Sequence, residues 1–302
     1  MLVRRFVWLL VCVWAISTVV FLLLRITGDP TYVYLSPDAP PEDLAELREA
    51  MGFDDPLHVQ YVRFLSDLLR GSFGNSIHHE RDALLLVVER LPATVQLAAS
   101  GMLVAVLIGV PLGAVAAIRR NSFVEMFAMS FALFGQSIPS FWQGLVMIIL
   151  LGVRLKWLPI SGRGGFANLI MPAVTVAVNP MARITRLMRS SILEELGQDY
   201  VRTARAKGLK ERVVLGTHVF RNAAIPVATL VGLNFGRLLG GTIVIETVFA
   251  WPGAGLLAVR AVRQRDFPVV QASVFVMGVV FVVINTAMDL FYTVLDPRIH
   301  LD

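Results

Sequence analysis

Six long runs carry no charge, or only one: 6–24, 91–118, 126–153, 164–182, 222–245 and 269–288. A helix needs about 20 mainly apolar residues to cross a bilayer. In lipid the backbone must satisfy its own hydrogen bonds, so such runs fold as helices. They therefore predict an all-α polytopic membrane protein with six transmembrane helices. Composition agrees: 56% of residues are hydrophobic and 16% charged, with a mean hydropathy of +0.69. The second and third runs exceed one crossing, and Pro111 and Pro139 mark where breaks are expected. Arg4 and Arg5 precede the 19 uncharged residues 6–24. That run is longer than a secretory signal core and no small-x-small site follows, so it reads as a retained first span.

Charge orients the spans. The stretch 182–221 holds nine Lys/Arg against four acids, while 28–90 holds twelve acids against five arginines. Arg119 and Arg120 lie between the second and third spans. By the positive-inside rule both termini and the loop 190–225 are cytoplasmic, and 28–90 is outside. The loop 250–268, with Arg260, Arg263 and Arg265, runs against the rule, as does 154–163. Three domains follow: a first membrane helix over 1–27, an extracytoplasmic helical segment over 28–90, and a five-helix core over 91–302. Within 28–90, residues 43–51 followed by Gly52 predict one amphipathic helix, and His58 to Leu69 another.

The basic loop 190–225 is the most informative polar stretch. Gly208 supplies the left-handed residue that ends a short helix, and a second begins near Leu209. Tyr200, Ala204 and Lys207 share a face at helical spacing. Small Ala204 and Gly208 allow close approach to a partner surface, and Tyr200 offers an aromatic anchor. Two other readings stand beside this one. A basic loop can be a topology determinant alone. Ala204-x-x-x-Gly208 also mimics a DNA-binding helix-turn-helix, but the unit is tethered to the bilayer at both ends, so nucleic acid is not the expected partner.

The loop resembles the EAA loop of binding-protein-dependent ABC importer permeases: Glu-Ala-Ala, three residues, Gly, nine residues, then Ile-x-Leu-Pro. Gly208 takes the glycine position. Arg202, Thr203 and Ala204 stand where Glu-Ala-Ala would, and His218-Val-Phe-Arg221 where Ile-x-Leu-Pro would. The run Asp199-Tyr-Val-Arg-Thr-Ala-Arg-Ala-Lys-Gly208 is close to the peptide/nickel subfamily, as is His218-Val-Phe-Arg-Asn-Ala-Ala-Ile-Pro226. Further pieces follow in order: Gly28-Asp29-Pro30, Gly71-Ser-Phe-Gly-Asn-Ser76, Leu91-Pro92-Ala-Thr94, Ser137-Ile-Pro-Ser-Phe-Trp142, Trp157-Leu-Pro159, Glu246-Thr-Val-Phe249, Trp251-Pro-Gly253 and Asp296-Pro-Arg298.

The resemblance implies the B-type permease of a peptide importer, with a type I ABC importer fold, in the bacterial inner membrane. It implies a second homologous permease, two cytoplasmic ATPase domains holding ATP and Mg, and an external substrate-binding protein. Tyr200, Arg202, Thr203, Ala204, Lys207, Gly208, Leu209 and His218 would dock the ATPase, with 197–213 transmitting its motion. Nickel complexes, glutathione and oligosaccharides use related permeases, so the cargo stays open among these and short peptides.

Enzyme chemistry has no visible carrier. Lys156, Lys207 and Lys210 are the only lysines, and none stands in a phosphate-binding loop. The five histidines show no metalloprotease spacing, and Cys12 is the single cysteine. Inside the spans, Arg237 is an expensive cation that must face protein or water. It is either a structural partner of an acid or a contact for substrate carboxylates. Asn234, Asn285 and Gln136 are candidates for the translocation path or for interhelical hydrogen bonds, and Asp289 is a further polar group. Gly232, Gly236 and Gly240 form a ladder suited to helix packing. An ion-driven secondary transporter is the rival, but no internal repeat is evident and Arg237 alone is central. An intramembrane enzyme would need paired acids or Ser/His within the spans, and none appears.

Overall fold

Helix accounts for nearly all regular structure, as the apolar runs require. The computed structural model describes residues 2–27, 40–50 and 52–295, among which there is no named strand. The motifs at 28–30 and 296–298 lie outside the described residues, as does the Asp289 side chain. The elements are α1 (Leu2–Thr27), α2 (Pro41–Ala50), α3 (Leu57–Leu69), α4 (Ala83–Ile118), α5 (Phe123–Ser137) and α6 (Ser140–Met147). The chain then forms a π-helical turn (Ile148–Arg154), α7 (Phe166–Leu196), α8 (Asp199–Ala206) and a short helical piece (Glu211–Val213). A second π-helical segment (Val214–Val219) leads into α9 (Phe220–Gly241), α10 (Ile243–Val248), α11 (Ala254–Gln264) and α12 (Phe267–Leu295).

Helices α2 and α3 fall within a residue or two of expectation. Gly52 sits at φ +68 behind α2, and its N–H and that of Phe53 return to Glu49 and Arg48 carbonyls at 2.9 Å each. This is the glycine stop expected there.

The membrane helices depart from expectation in three places. Three helices among the described residues are long and apolar enough to cross a membrane: Ala83–Ile118, Glu211–Gly241 and Phe267–Met288. The third run is broken: Phe123–Ser137 and Ser140–Arg154 meet at 101°, and as one bent span they make a fourth. The break falls at Pro139, where Ile138 is extended (φ −90, ψ 130), the conformation a following proline favours. Pro111 makes no break; α4 runs unbroken through it, as helices in lipid can when neighbours re-satisfy the freed carbonyl. α4 also starts at Ala83, so the residue 90/91 boundary falls inside a helix. Finally, α7 does not end near Ala182. It continues to Leu196 with Arg183, Arg186 and Arg189 on its second half.

The chain divides into two compact units, 1–93 with 252–284, and 94–251 with 285–302. The first packs Phe73, Leu86, Val87, Ala261, Val269 and Val276 into one core. Buried Asp266 links two loops there, accepting from Ser76 Oγ at 2.5 Å. The second unit is built around α7, which packs against α5, α6, α9 and α10. α4 lies close on α7 because its glycines leave room: a Cβ at Gly113 would stand 2.5 Å from the Thr185 carbonyl oxygen, and one at Gly101 2.5 Å from Val176 Cγ1.

Candidate functional site

The short helix α8 is amphipathic, and the structure uses both of its faces. Val201 is fully buried and Ala204 nearly so. They enter one apolar core with Met181, Ile184, Met188 and Ile192 of α7, Val214 and Val219 of the second π-helical segment, and Ala223 and Val227 of α9. Ala204 is thus turned into the chain and is unavailable to a partner, contrary to the expectation. Residues 201 and 204 make the inward stripe, so Arg202, Thr203, Arg205 and Ala206 are left exposed.

Gly208 has φ +76 and ends α8. Its N–H reaches the Arg205 carbonyl at 2.9 Å, and the Leu209 N–H reaches that of Ala204 at 3.4 Å. This reciprocal pair is the Schellman arrangement, which requires a left-handed residue where glycine stands. Arg205 reaches across the turn to Glu211, with Nη2 2.6 Å from Oε1. That exposed ion pair was not singled out from sequence, although the two charges bracket Gly208. It holds the Arg205 guanidinium proton more firmly than usual, through the hydrogen bond to Glu211. Lys207 and Leu209 are exposed beside the turn, and His218 is half-buried in the π-helical segment.

Tyr200 is partly exposed, but its hydroxyl is engaged within the chain. It donates to Glu195 Oε2 at the end of α7 and accepts from Asn222 Nδ2 of α9 at 3.1 Å. Partial burial, followed by the Glu195 hydrogen bond, pushes its pKa above the usual 10, so it remains a donor throughout the physiological range. Arg202 makes a loose, exposed pair with Asp199 at 3.5 Å, and Thr203 Oγ1 donates back to the Asp199 carbonyl at 2.9 Å.

The polar residues expected inside the membrane fall into three groups. Gln136 accepts from Arg186 Nη2 at 2.8 Å, and buried Asn234 accepts from Arg183 Nη1 at 3.4 Å. Asn285 approaches Gly236 so closely that a Cβ there would lie 2.7 Å from its Oδ1. Arg237 is exposed and, among the described residues, makes no hydrogen bond or ion pair. Of the glycine ladder, Gly232 and Gly236 are buried, while Gly240 faces open space. Sequence reading missed Arg183, Arg186 and Arg189 as site residues, because their charges were counted toward a loop. Arg189 is neutralised by Glu125, with Nε to Oε1 at 2.6 Å.

Motifs far apart in sequence also meet. Fully buried Glu246 accepts from Thr94 Oγ1 at 2.7 Å and from Thr242 Oγ1 at 3.1 Å. The Gly162 N–H reaches the Phe249 carbonyl at 3.0 Å, and the Arg163 guanidinium lies over the Trp251 ring, 5.9 Å from its centroid.

Residues 109–301 match the family described as binding-protein-dependent transport system inner membrane component, and residues 1–98 match its N-terminal companion. The chain belongs to this permease family. The family is a membrane component of ABC importers and not an ATPase. A Brucella suis biovar 1 protein, provisionally named a peptide transport system permease protein, is 40% identical over 95% of this chain and 94% of its own. The glutathione transport system permease protein GsiC of Salmonella paratyphi A is 38% identical over 98% of this chain and 97% of its own. An inward-facing structure of the MetNI methionine ABC transporter superposes with a TM-score of 0.57, at 16% identity over 70% of this chain and 97% of that one. That likeness extends the family reading to the type I importer permease fold.

Proposed function

We propose that this permease forms half of the translocation pore of an importer for short peptides, driven by separate ATPase subunits that hold ATP and Mg. The carrying observation is the docking of α8 into the membrane core: Val201 and Ala204 belong to the same apolar cluster as Met181 and Ile184. A push on the exposed face of α8 is thereby delivered to α7 and α9. The docking face comprises Tyr200, Arg202, Thr203, Lys207, Gly208 and Leu209, with Arg205 and Ala206 added and buried Ala204 withdrawn. His218 lies in the π-helical segment beneath it, a distortion that often accompanies functional sites.

The remaining partners are a second homologous permease and an external substrate-binding protein, in the bacterial inner membrane. Both termini and α8 lie on the cytoplasmic side. Peptides are favoured as cargo by the names of the relatives, one of which is named for glutathione, itself a small acidic peptide. Gln136, Asn234, Arg237 and Asn285 are assigned to the translocation path or its lining helices. Co-expression with partner subunits and reconstitution in vesicles tests the reading. The complex should take up short peptides only with ATP, and the purified chain alone should hydrolyse none. Peptide uptake driven by an ion gradient without ATP would refute it.

A further inference from the structure

α7 presents three arginines to its neighbours in the second unit, and they are not matched alike. Arg189 meets the carboxylate of Glu125. Arg186 and Arg183 meet only amide oxygens, those of Gln136 and Asn234. Among the described residues neither guanidinium has a second partner. Each carries five N–H donors in a planar fork, and one bond is made by each. Asn234 adds a further donor: its Nδ2 is buried without a hydrogen-bond partner, and the residue is 4% exposed.

Both partners stand on apolar helices: Gln136 in the first arm of the bent pair Phe123–Ser137 and Ser140–Arg154, and Asn234 in Glu211–Gly241. Two cations there, each bonded to a single amide oxygen and to no acid among the described residues, leave an electrostatic demand that a bound anion would meet. Arg186 is exposed, so its guanidinium is open to a ligand.

We infer that Arg183 and Arg186, with the free amide of Asn234, form a carboxylate-binding subsite for the cargo on its way through the membrane. This rests on the peptide-permease reading above. A carboxylate would accept two N–H bonds from an arginine fork and relieve the Asn234 amide. Cargo with a free C-terminus or an acidic side chain would pause here, and cargo without one would pass without that contact. A phosphate from a lipid headgroup has similar chemistry, so the test separates the two sources.

The experiment uses the whole complex in vesicles and compares one short peptide with its C-terminal amide. The readout is the ratio of the two uptake rates for wild type, Arg183→Gln, Arg186→Gln and Arg186→Lys. Since all four share one binding protein, a changed ratio reports on the permease. Losing a charge-assisted contact should reduce the free-acid preference roughly tenfold, with amide uptake within about twofold of wild type and Arg186→Lys intermediate. Where a glutamine variant fails to assemble, Arg186→Lys still reads the ratio. Equal losses for both peptides, or an unchanged ratio, overturn the subsite. A loss that follows the anionic phospholipid content of the vesicles, whatever the peptide terminus, assigns the arginines to lipid and also overturns it. A wild-type complex with ATPase activity but no uptake of either peptide overturns the peptide reading itself.

Discussion

Under the proposed function, removing a single oxygen from Tyr200 should separate docking from transmission. Its ring is part of the exposed side of α8, while its hydroxyl bridges Glu195 on α7 and Asn222 on α9. Tyr200→Phe keeps the ring and cuts both links. At this half-exposed site the loss should cost about 1 kcal/mol, too little to unfold the protein. Peptide uptake should fall several-fold while the assembled complex continues to hydrolyse ATP, so more ATP is used per peptide moved. An unchanged ratio of hydrolysis to uptake would show that the bridge carries no motion. The exposed position of Tyr200 was legible in the sequence, but its bonds were not. Helical spacing identifies which residues share a face, and Asn222 lies 22 residues away, beyond any local pattern. Arg183 and Arg186 were hidden for a related reason: a charge ends an apolar run on paper, whereas in the fold α7 simply continues.

At the level of elements, the proposed docking makes the turn after α8 set the angle at which the loop meets its partner. Gly208 holds φ +76, and nothing lies within 4 Å of where its Cβ would be. A substitution there is penalised by backbone strain alone. Gly208→Ala should cost about 1–2 kcal/mol, and Gly208→Val more because its branched side chain is further restricted. Gly208→Val is expected to insert and assemble but lose most ATP-driven uptake; normal uptake would show that the turn geometry is dispensable. The exposed side can be mapped in the same complex. Cysteines at Thr203 and Ala206 should crosslink to the ATPase, and one at Ala204 should not, since its side chain is inside the core. The turn was legible because glycine is nearly the only residue suited to it. The inward face was not, because Ala204 is small enough to fit either a core or an interface. The break at Pro139 was legible and the continuity at Pro111 was not: both prolines lose an N–H, and only the surrounding packing decides which helix bends.

For the molecule as a whole, the asymmetry of charge supports the proposed orientation. The stretch 28–90 has a balance of −7, from twelve acids and five arginines, and 190–221, beyond the three arginines of α7, has +2, from six bases and four acids. Retaining the basic stretch on the cytoplasmic side follows the positive-inside rule, and that side is where ATP is available to partner subunits. The loop 250–268 opposes the rule with Arg260, Arg263 and Arg265, so a test must read several positions. In a Cys12→Ser background, which removes the single cysteine, new cysteines at Glu46, Thr203 and Arg263 report on three segments. Glu46 lies in α2, Thr203 in α8 and Arg263 in α11, all on exposed positions. A membrane-impermeant thiol reagent added to intact cells should label the cysteines at 46 and 263 and spare the one at 203 until the membrane is opened. Labelling at 203 from outside would place α8 away from ATP and overturn the proposed orientation. Labelling at 46 and protection at 263 would instead place α11 on the side its arginines favour, and would require an odd number of crossings between α2 and α11.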